Sequence, residues 1–411
     1  MRTIAVSGLI ALTALLGAGA SAAVAGPASA APTRASVAAT PDNQLFGVSC
    51  ASTSDCVAVG NNQSANGNEG GPLVQTWNGK SWKTVGVKLP AKAISGELVG
   101  VSCPSATACV AVGLWLNAGD TGFPLAETWN GRTWTPSTLV AGPKGSTAEF
   151  INGVSCTSAK NCMAVGDYVT FSGTTALAEH WNGKTWTVSK PPVPAHSVVG
   201  DLDGVSCPSA TRCIAVGTSA TNSGGFVLAD AWNGKTWSRM SVTPPASSKN
   251  DAVMTGVSCS SATNCVGVGS GTAATGRPGG LSGFTERWNG KTWTAGKVSW
   301  PKGTSNSYLV GASCRSATSC MVVGYVDINV NDGGNTGRAA AARWNGKTWT
   351  ATSVPAPGKG KASLFSAVSC PSATVCVAAG QLSPFKSTEG SGLAGRWNGK
   401  SWNLVSTPVA G

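Results

Sequence analysis

Two unrelated markers recur seven times in step along the chain, and that recurrence restricts the fold more than any other feature. The first is Cys-x5-Cys: Cys50 with Cys56, Cys103 with Cys109, Cys156 with Cys162, Cys207 with Cys213, Cys259 with Cys265, Cys314 with Cys320, and Cys370 with Cys376. Their leading cysteines lie 53, 53, 51, 52, 55 and 56 residues apart. The second is Trp-Asn-Gly-Lys/Arg-Ser/Thr-Trp, beginning at Trp77, Trp129, Trp181, Trp232, Trp288, Trp344 and Trp397 and holding 14 of the 16 tryptophans. A period of this length means one supersecondary unit copied seven times, each copy completing its core against a neighbour.

The unit reads as four short strands. With 54 glycines and 22 prolines in 411 residues, 42% hydrophobic and 11% charged, the chain is too apolar for disorder and too rich in turn formers for helices. The first strand ends in Gly-Val-Ser-Cys, as at Gly153 to Cys156, and the second is Cys-Val-Ala-Val-Gly, as at Cys109 to Gly113. A variable loop of about ten to fourteen residues leads to a third strand such as Leu125 to Trp129, and a fourth follows at Arg132 to Thr135. Asn-Gly reads as the centre of a type I′ turn. That turn sets Trp129 opposite Arg132 and Glu127 opposite Trp134, with all four side chains on one sheet face. Each unit thus presents two indoles, at ~150–250 Å2 apiece the main adhesive between units.

Four antiparallel strands repeated seven times predict an all-β, seven-bladed β-propeller, with units starting near residues 45, 98, 151, 202, 254, 309 and 365. The rival is an open solenoid, which needs polar end caps that neither terminus resembles. Residues 45–411 form the propeller in this reading, and 31–44 are a linker with room to add a strand. First and last blades need share no strand, so closure rests on packing between them.

Residues 1–30 read as a signal peptide: Arg2, an apolar stretch from Ile4 to about Ala25, and a small-x-small site at Ala28-Ser29-Ala30. A membrane anchor fits less well, because the stretch is short and no basic cluster follows it. The chain is therefore expected outside the cell, free or on the wall, with no membrane span. Disulfides persist there. Each cysteine pair brackets the turn between strands one and two, so its members can face each other across the ladder. One disulfide per unit is expected. Zinc is the alternative reading, disfavoured by the spacing and by a total of two histidines. No cofactor and no metal are expected.

The stretch Asn152-Gly153-Val154-Ser155-Cys156, Cys162-Met163-Ala164-Val165-Gly166, then Ala178-Glu179-His180-Trp181-Asn182-Gly183-Lys184-Thr185-Trp186 resembles the unit of Asp-box, bacterial neuraminidase-type repeat propellers. Among them it is most similar to photosystem II assembly-factor-like propellers, and it is also similar to kelch-type propellers and to unassigned secreted bacterial repeat proteins. The likeness spans about residues 45 to 409. Trp181 and Asn182 stand where the Asp-box has its aspartate and first glycine, and Cys162-Met163 replaces Gly-Trp. The resemblance implies architecture and carries no activity.

Catalysis breaks symmetry, whereas the recurring residues here recur seven times. Tyr168, Tyr308 and Tyr325 belong to no sialidase-like set, and His180 and His196 fall short of a galactose-oxidase-type copper site. Glu127, Glu179, Asp230 and Glu286 precede the first indole by two, as glycosidase carboxylates or, more simply, as surface partners of the turn cations. The expected function is binding without catalysis, of an extracellular glycan or wall polymer, through variable loops on one face. The alternatives are a polysaccharide hydrolase or lyase and a protein-interaction platform. Candidate contacts are Trp115, Phe123, Tyr168, Phe171, Trp300, Tyr325 and Phe385. A basic ring of Lys80, Arg132, Lys184, Lys235, Lys291, Lys347 and Lys400, in a chain of net charge +12, is a second candidate, for anionic polymers, unless these cations merely solubilise the turns and lie over the indoles. No nucleic-acid partner is expected, and the molecule is expected to be a monomer.

Overall fold

The computed structural model describes residues 42–408, apart from 64–69, 140–141, 143–144, 222–223, 247–249, 273–279, 330–334, 357, 359–360 and 385–389. The proposed leader and nearly all of the linker lie outside the described residues. Within them the chain is all strand and turn, arranged as a seven-bladed propeller of antiparallel blades at 42–85, 93–136, 148–189, 199–239, 250–296, 304–352 and 361–406.

Blade three shows the plan. Strands Ala148–Ser158, Asn161–Thr170, Gly173–Trp181 and Trp186–Ser189 pair in sequence order. The first strands of successive blades touch one another around the hub, so the strand order runs from hub to rim. Blade six departs from the plan: a two-residue strand, Val298–Ser299, adds in parallel outside Trp349–Thr352.

The core is divided. Among the described residues there are seven buried clusters, and each joins two adjacent blades. Between blades two and three, Val110, Val112 and Ala126 meet Ile151, Ala164, Leu177, Trp181 and Trp186. Blades one and seven share no strand; Leu45, Ala58, Trp77 and Trp82 pack on Val377, Ala379 and Ala394. Ring closure is therefore packing, as expected from the phasing of the repeats.

The indole pairs sit in these seams. The centroids of Trp181 and Trp186 are 5.3 Å apart, and those of Trp397 and Trp402 are 5.8 Å apart. In blades three, four and seven the second indole also bonds the preceding blade: Trp186 Nε1 donates to Ser137 Oγ at 3.0 Å, Trp237 Nε1 to Ser189 Oγ at 2.9 Å, and Trp402 Nε1 to Thr352 Oγ1 at 3.0 Å.

Every expected cysteine pair forms a disulfide. Cys50 bonds Cys56, Cys103 bonds Cys109, Cys156 bonds Cys162, and Cys207 bonds Cys213. In the last three blades Cys259 bonds Cys265, Cys314 bonds Cys320, and Cys370 bonds Cys376, so no cysteine is left free. The second cysteine of each of these pairs is the more deeply packed: Cys265, Cys320 and Cys376 are all buried within the seam clusters. Cys50 and Cys56 are direct ladder partners with Cα atoms 3.9 Å apart, as are Cys259 and Cys265 at 3.9 Å and Cys314 and Cys320 at 4.0 Å.

The serine before each first cysteine has a role that its sequence context hides. Its hydroxyl accepts the backbone N–H of the next blade's first cysteine: Ser49 from Cys103, Ser102 from Cys156, Ser155 from Cys207, each at 2.9 Å. The series continues through Ser206, Ser258 and Ser313 and ends where Ser369 accepts Cys50 at 3.0 Å. In six blades a glycine two residues before that serine, replaced by Ala367 in the seventh, allows the hub strands to approach; a Cβ on Gly153 would stand 3.1 Å from Asp203 O and 3.3 Å from Gly204 Cα.

The hairpin at the rim corrects the expected turn. Trp129 pairs with Trp134, not Arg132, and the same indole-to-indole pairing holds in all seven blades. Gly131 alone takes positive φ, +91°, within the four-residue loop between the paired indoles, and Asn130 N donates to Thr133 O at 3.4 Å. Asn130 Oδ1 instead accepts the N–H groups of Arg132 and Thr133 at 2.9 and 3.0 Å. A side-chain acceptor at asparagine leaves one glycine to supply the unusual φ, which moves the turn centre by one residue. Glu127 now faces Pro136, and Arg132 leaves the ladder for the exposed tip.

Candidate functional site

Strand direction divides the disc into two faces. The turns between strands one and two and between three and four lie on one, here the turn face. The variable loops and interblade linkers lie on the other, the loop face.

The turn face repeats. All seven ring cations are exposed at their hairpin tips. None is seen over an indole among the described residues. The cation–π contact present is Arg287, a strand residue whose guanidinium carbon lies 4.3 Å from the Trp344 ring.

The loop face does not repeat. Trp115 stacks on Phe123 at 4.5 Å, and the pair is half-buried against the seam of blades one and two. Tyr168 is likewise packed at the next seam, and Trp300 at the seam of blades five and six. Tyr325 stacks on Tyr308 at 5.8 Å. These five are largely packing residues in their position, whereas Phe171, at a loop tip of blade three, is 98% exposed. Phe385 lies outside the described residues. Sequence reasoning missed Phe226, 49% exposed at the loop end of blade four's third strand, and Ile94 and Val198 beside the linkers. An apolar residue at a strand's polar end was the available signal.

It also missed the hub. Each first strand carries a one-residue irregularity that adds Phe46, Val99, Asn152, Asp203, Thr255, Val310 or Ser366. Such bulges re-aim side chains. Asn152 Nδ2 donates to Leu202 O of the next blade at 3.1 Å, and to Asp167 Oδ1 at 3.4 Å. Thr255 Oγ1 donates to Leu309 O at 2.9 Å. Asp203 occupies the same bulge in blade four.

Carboxyl groups gather around it. Burial, then repulsion from Asp201 and Asp167, holds the Asp203 carboxyl well above the usual carboxylate range. Asp167, fully buried with Oδ2 unpartnered, is pushed up to about 8 by burial and by Asp201. Asp201 reaches about 6 through burial, opposed by the Thr218 N–H that it accepts at 3.0 Å. Across the hub, burial raises Tyr308, whose side chain is also hydrogen-bonded with Ser270. The set spans blades three to six and has no sevenfold counterpart.

The four acids before the first indole are the clearest correction. Glu127, Glu179, Asp230 and Glu286 are 0% exposed, so they are not surface partners of the turn cations. They lie in the seams because their side chains share the indole face. Both oxygens of Glu127 and of Glu286 lack partners, and burial pushes each group up to about 7. Asp230 also reaches about 7 by burial although Arg239 stands 3.9 Å away. Each of these acids belongs to a different blade and is closed to solvent, so they do not present a glycosidase pair to a substrate. Among the described residues, no group of three or more His, Cys, Asp or Glu is placed to hold a metal. His180 Nε2 lies 2.9 Å from Asn161 Nδ2 in a local hydrogen bond. No helix among the described residues is long and apolar enough to cross a membrane.

No protein-family model matches the chain, and no curated protein sequence matches it. Solved structures do. YCF48 from Cyanidioschyzon merolae is 13% identical over 88% of this chain and 99% of that one, with a TM-score of 0.48. The six-bladed lectin of the fungus Aleuria aurantia is 15% identical, covering 77% and 98%, with a TM-score of 0.43. The acylaminoacyl peptidase of Pyrococcus horikoshii is 8% identical over 87% of this chain, with a TM-score of 0.50, and this chain spans about half of it, 51%. At such identities the likeness concerns the fold alone.

Proposed function

We propose that this protein is a secreted, non-catalytic propeller that recognises an extracellular glycan or wall polymer through its loop face. One observation carries the reading: departures from sevenfold symmetry concentrate on that face. Exposed Phe171 and Phe226 stand on adjacent blades, and carboxyl, amide and phenol groups converge at the hub behind them. Exposed aromatic rings suit sugar rings, which present apolar faces. A rigid scaffold with variable loops suits binding in general. Export by a leader at 1–30 and a propeller over 45–411 belong to this reading, and seven disulfides fit an oxidising compartment.

The test is a screen of immobilised wall polysaccharides and glycans with simultaneous analysis of released products. Binding without product, weakened at least tenfold by Phe171→Ala with Phe226→Ala, is the expected result. Released oligosaccharides would favour a hydrolase or lyase. Capture of one protein with no glycan retained would favour the interaction platform.

A further inference from the structure

The turn face carries an observation that the loop-face reading leaves unused. Its fourteen turns hold ten cations, the seven hairpin residues with Lys160, Arg212 and Arg315, against the single acid Asp55. All ten cations are exposed, and none has a carboxylate in ion-pair range among the described residues. Asp55 is itself engaged by the hydroxyls of Ser52 and Ser54. The hairpin tips are fixed. In every blade the asparagine Oδ1 takes the N–H of the cationic residue at 2.9 Å, with Arg132 no exception. Three of the four backbone N–H groups at each tip, in blade two those of Asn130, Arg132 and Thr133, are therefore spent internally, and the side-chain charge is the main feature left to offer.

We infer that the turn face is a second docking surface, independent of the loop face, for a linear phosphodiester polymer. A circle of one-signed charges, most of them lysines, selects chiefly by linear charge density. Six of the seven hairpin cations are lysines, point charges without the fork that pairs carboxylates in a bidentate way. A phosphodiester chain carries a full charge at every repeat and keeps it in acid, where a polyuronate loses its own. Recurrence seven times, which argues against catalysis, favours a repeating ligand through multivalency. The asymmetric residues of the loop face take no part.

Long-chain polyphosphate is the probe, titrated into the full protein between about 50 and 200 mM salt. Binding should weaken steeply with salt, by roughly 0.7 log units per log unit of salt for each cation engaged. Lys184→Gln with Lys235→Gln and Lys291→Gln, on exposed tips, should reduce affinity at least tenfold and flatten the slope by about 2. A control triple in the linkers, Lys88→Gln with Lys190→Gln and Lys302→Gln, removes equal charge and should stay within about threefold. Phe171→Ala should have no effect. Equal losses in both triples, absence of binding at low salt, or polygalacturonate binding as tightly as polyphosphate would each overturn the proposal.

Discussion

The backbone N–H of Cys50 donates to the hydroxyl of Ser369 at 3.0 Å, across 319 residues of sequence. It is the seventh bond of a belt whose other six join neighbours in sequence, and it is the one that makes the belt a ring. Ser369→Ala removes the acceptor and leaves a part-buried donor without it, at about 1–3 kcal/mol. Chemical denaturation of this variant beside Ser206→Ala, the same change within the chain, should give similar losses. A much smaller loss at Ser369 would mean that the closing seam is looser than the others.

Trp402 is 2% exposed and packs on Phe365 at 5.4 Å. Trp402→Phe keeps an aromatic ring but removes the bond to Thr352 Oγ1, and should cost about 1–2 kcal/mol. Trp402→Ala should cost about 3–5 kcal/mol. Thermal unfolding followed by tryptophan fluorescence separates the two.

Each disulfide closes a ring of seven residues, for which chain entropy gives about 2 kcal/mol. Cys207→Ser with Cys213→Ser should therefore lower stability by about that amount and accelerate proteolysis at the blade-four turn, with the other blades unaffected. Limited proteolysis followed by mass spectrometry of the fragments locates the effect.

Glu127 and Glu286 titrate near 7 when folded and near 4.5 when unfolded, because burial disfavours their charge. A raised folded pKa means that stability is intact below about 4.5 and falls as pH rises through 7. Stability should decline between pH 5 and pH 8, on the order of 1–3 kcal/mol per group, and the melting temperature should fall with it. Glu127→Gln with Glu286→Gln should flatten that decline. An unchanged pH profile in the double variant would show that these carboxyls are not its source.

Asp203 sits in the bulge where Asn152 and Thr255 donate to the next blade. Held protonated, its carboxyl can donate in the same way. Asp203→Asn, a permanent donor of the same shape, should preserve or raise stability at pH 8, whereas Asp203→Leu should lower it. Denaturation of both variants at pH 8 decides the matter.

Blade number, strand count and disulfide pairing were legible because cysteine and tryptophan each mark the unit and neither is cheaply exposed. The hairpin register was not. Asn-Gly favours a type I′ centre in isolation, and only the two N–H groups taken by asparagine Oδ1 show why Gly131 and Arg132 are central instead. Ser49 and its six counterparts looked like ordinary strand serines, since their partners are a whole blade away. The acids at the seams were misplaced because charge was read as exposure, although Glu127 shares the alternation of Trp129 and so had to face the neighbouring blade. The loop-face set was partly legible. Comparing one register across the seven copies, Phe46 and Val99 against Asn152 and Asp203, gives the asymmetry from sequence, but not the convergence at the hub.

The closed wheel is tested most directly by distances between spin labels attached, without cysteine chemistry, at positions 80, 132 and 400. Blades one and seven are neighbours in a ring and the two ends of an open stack. The account predicts that the 80–400 separation matches the 80–132 separation. An 80–400 distance several times the 80–132 distance would contradict it.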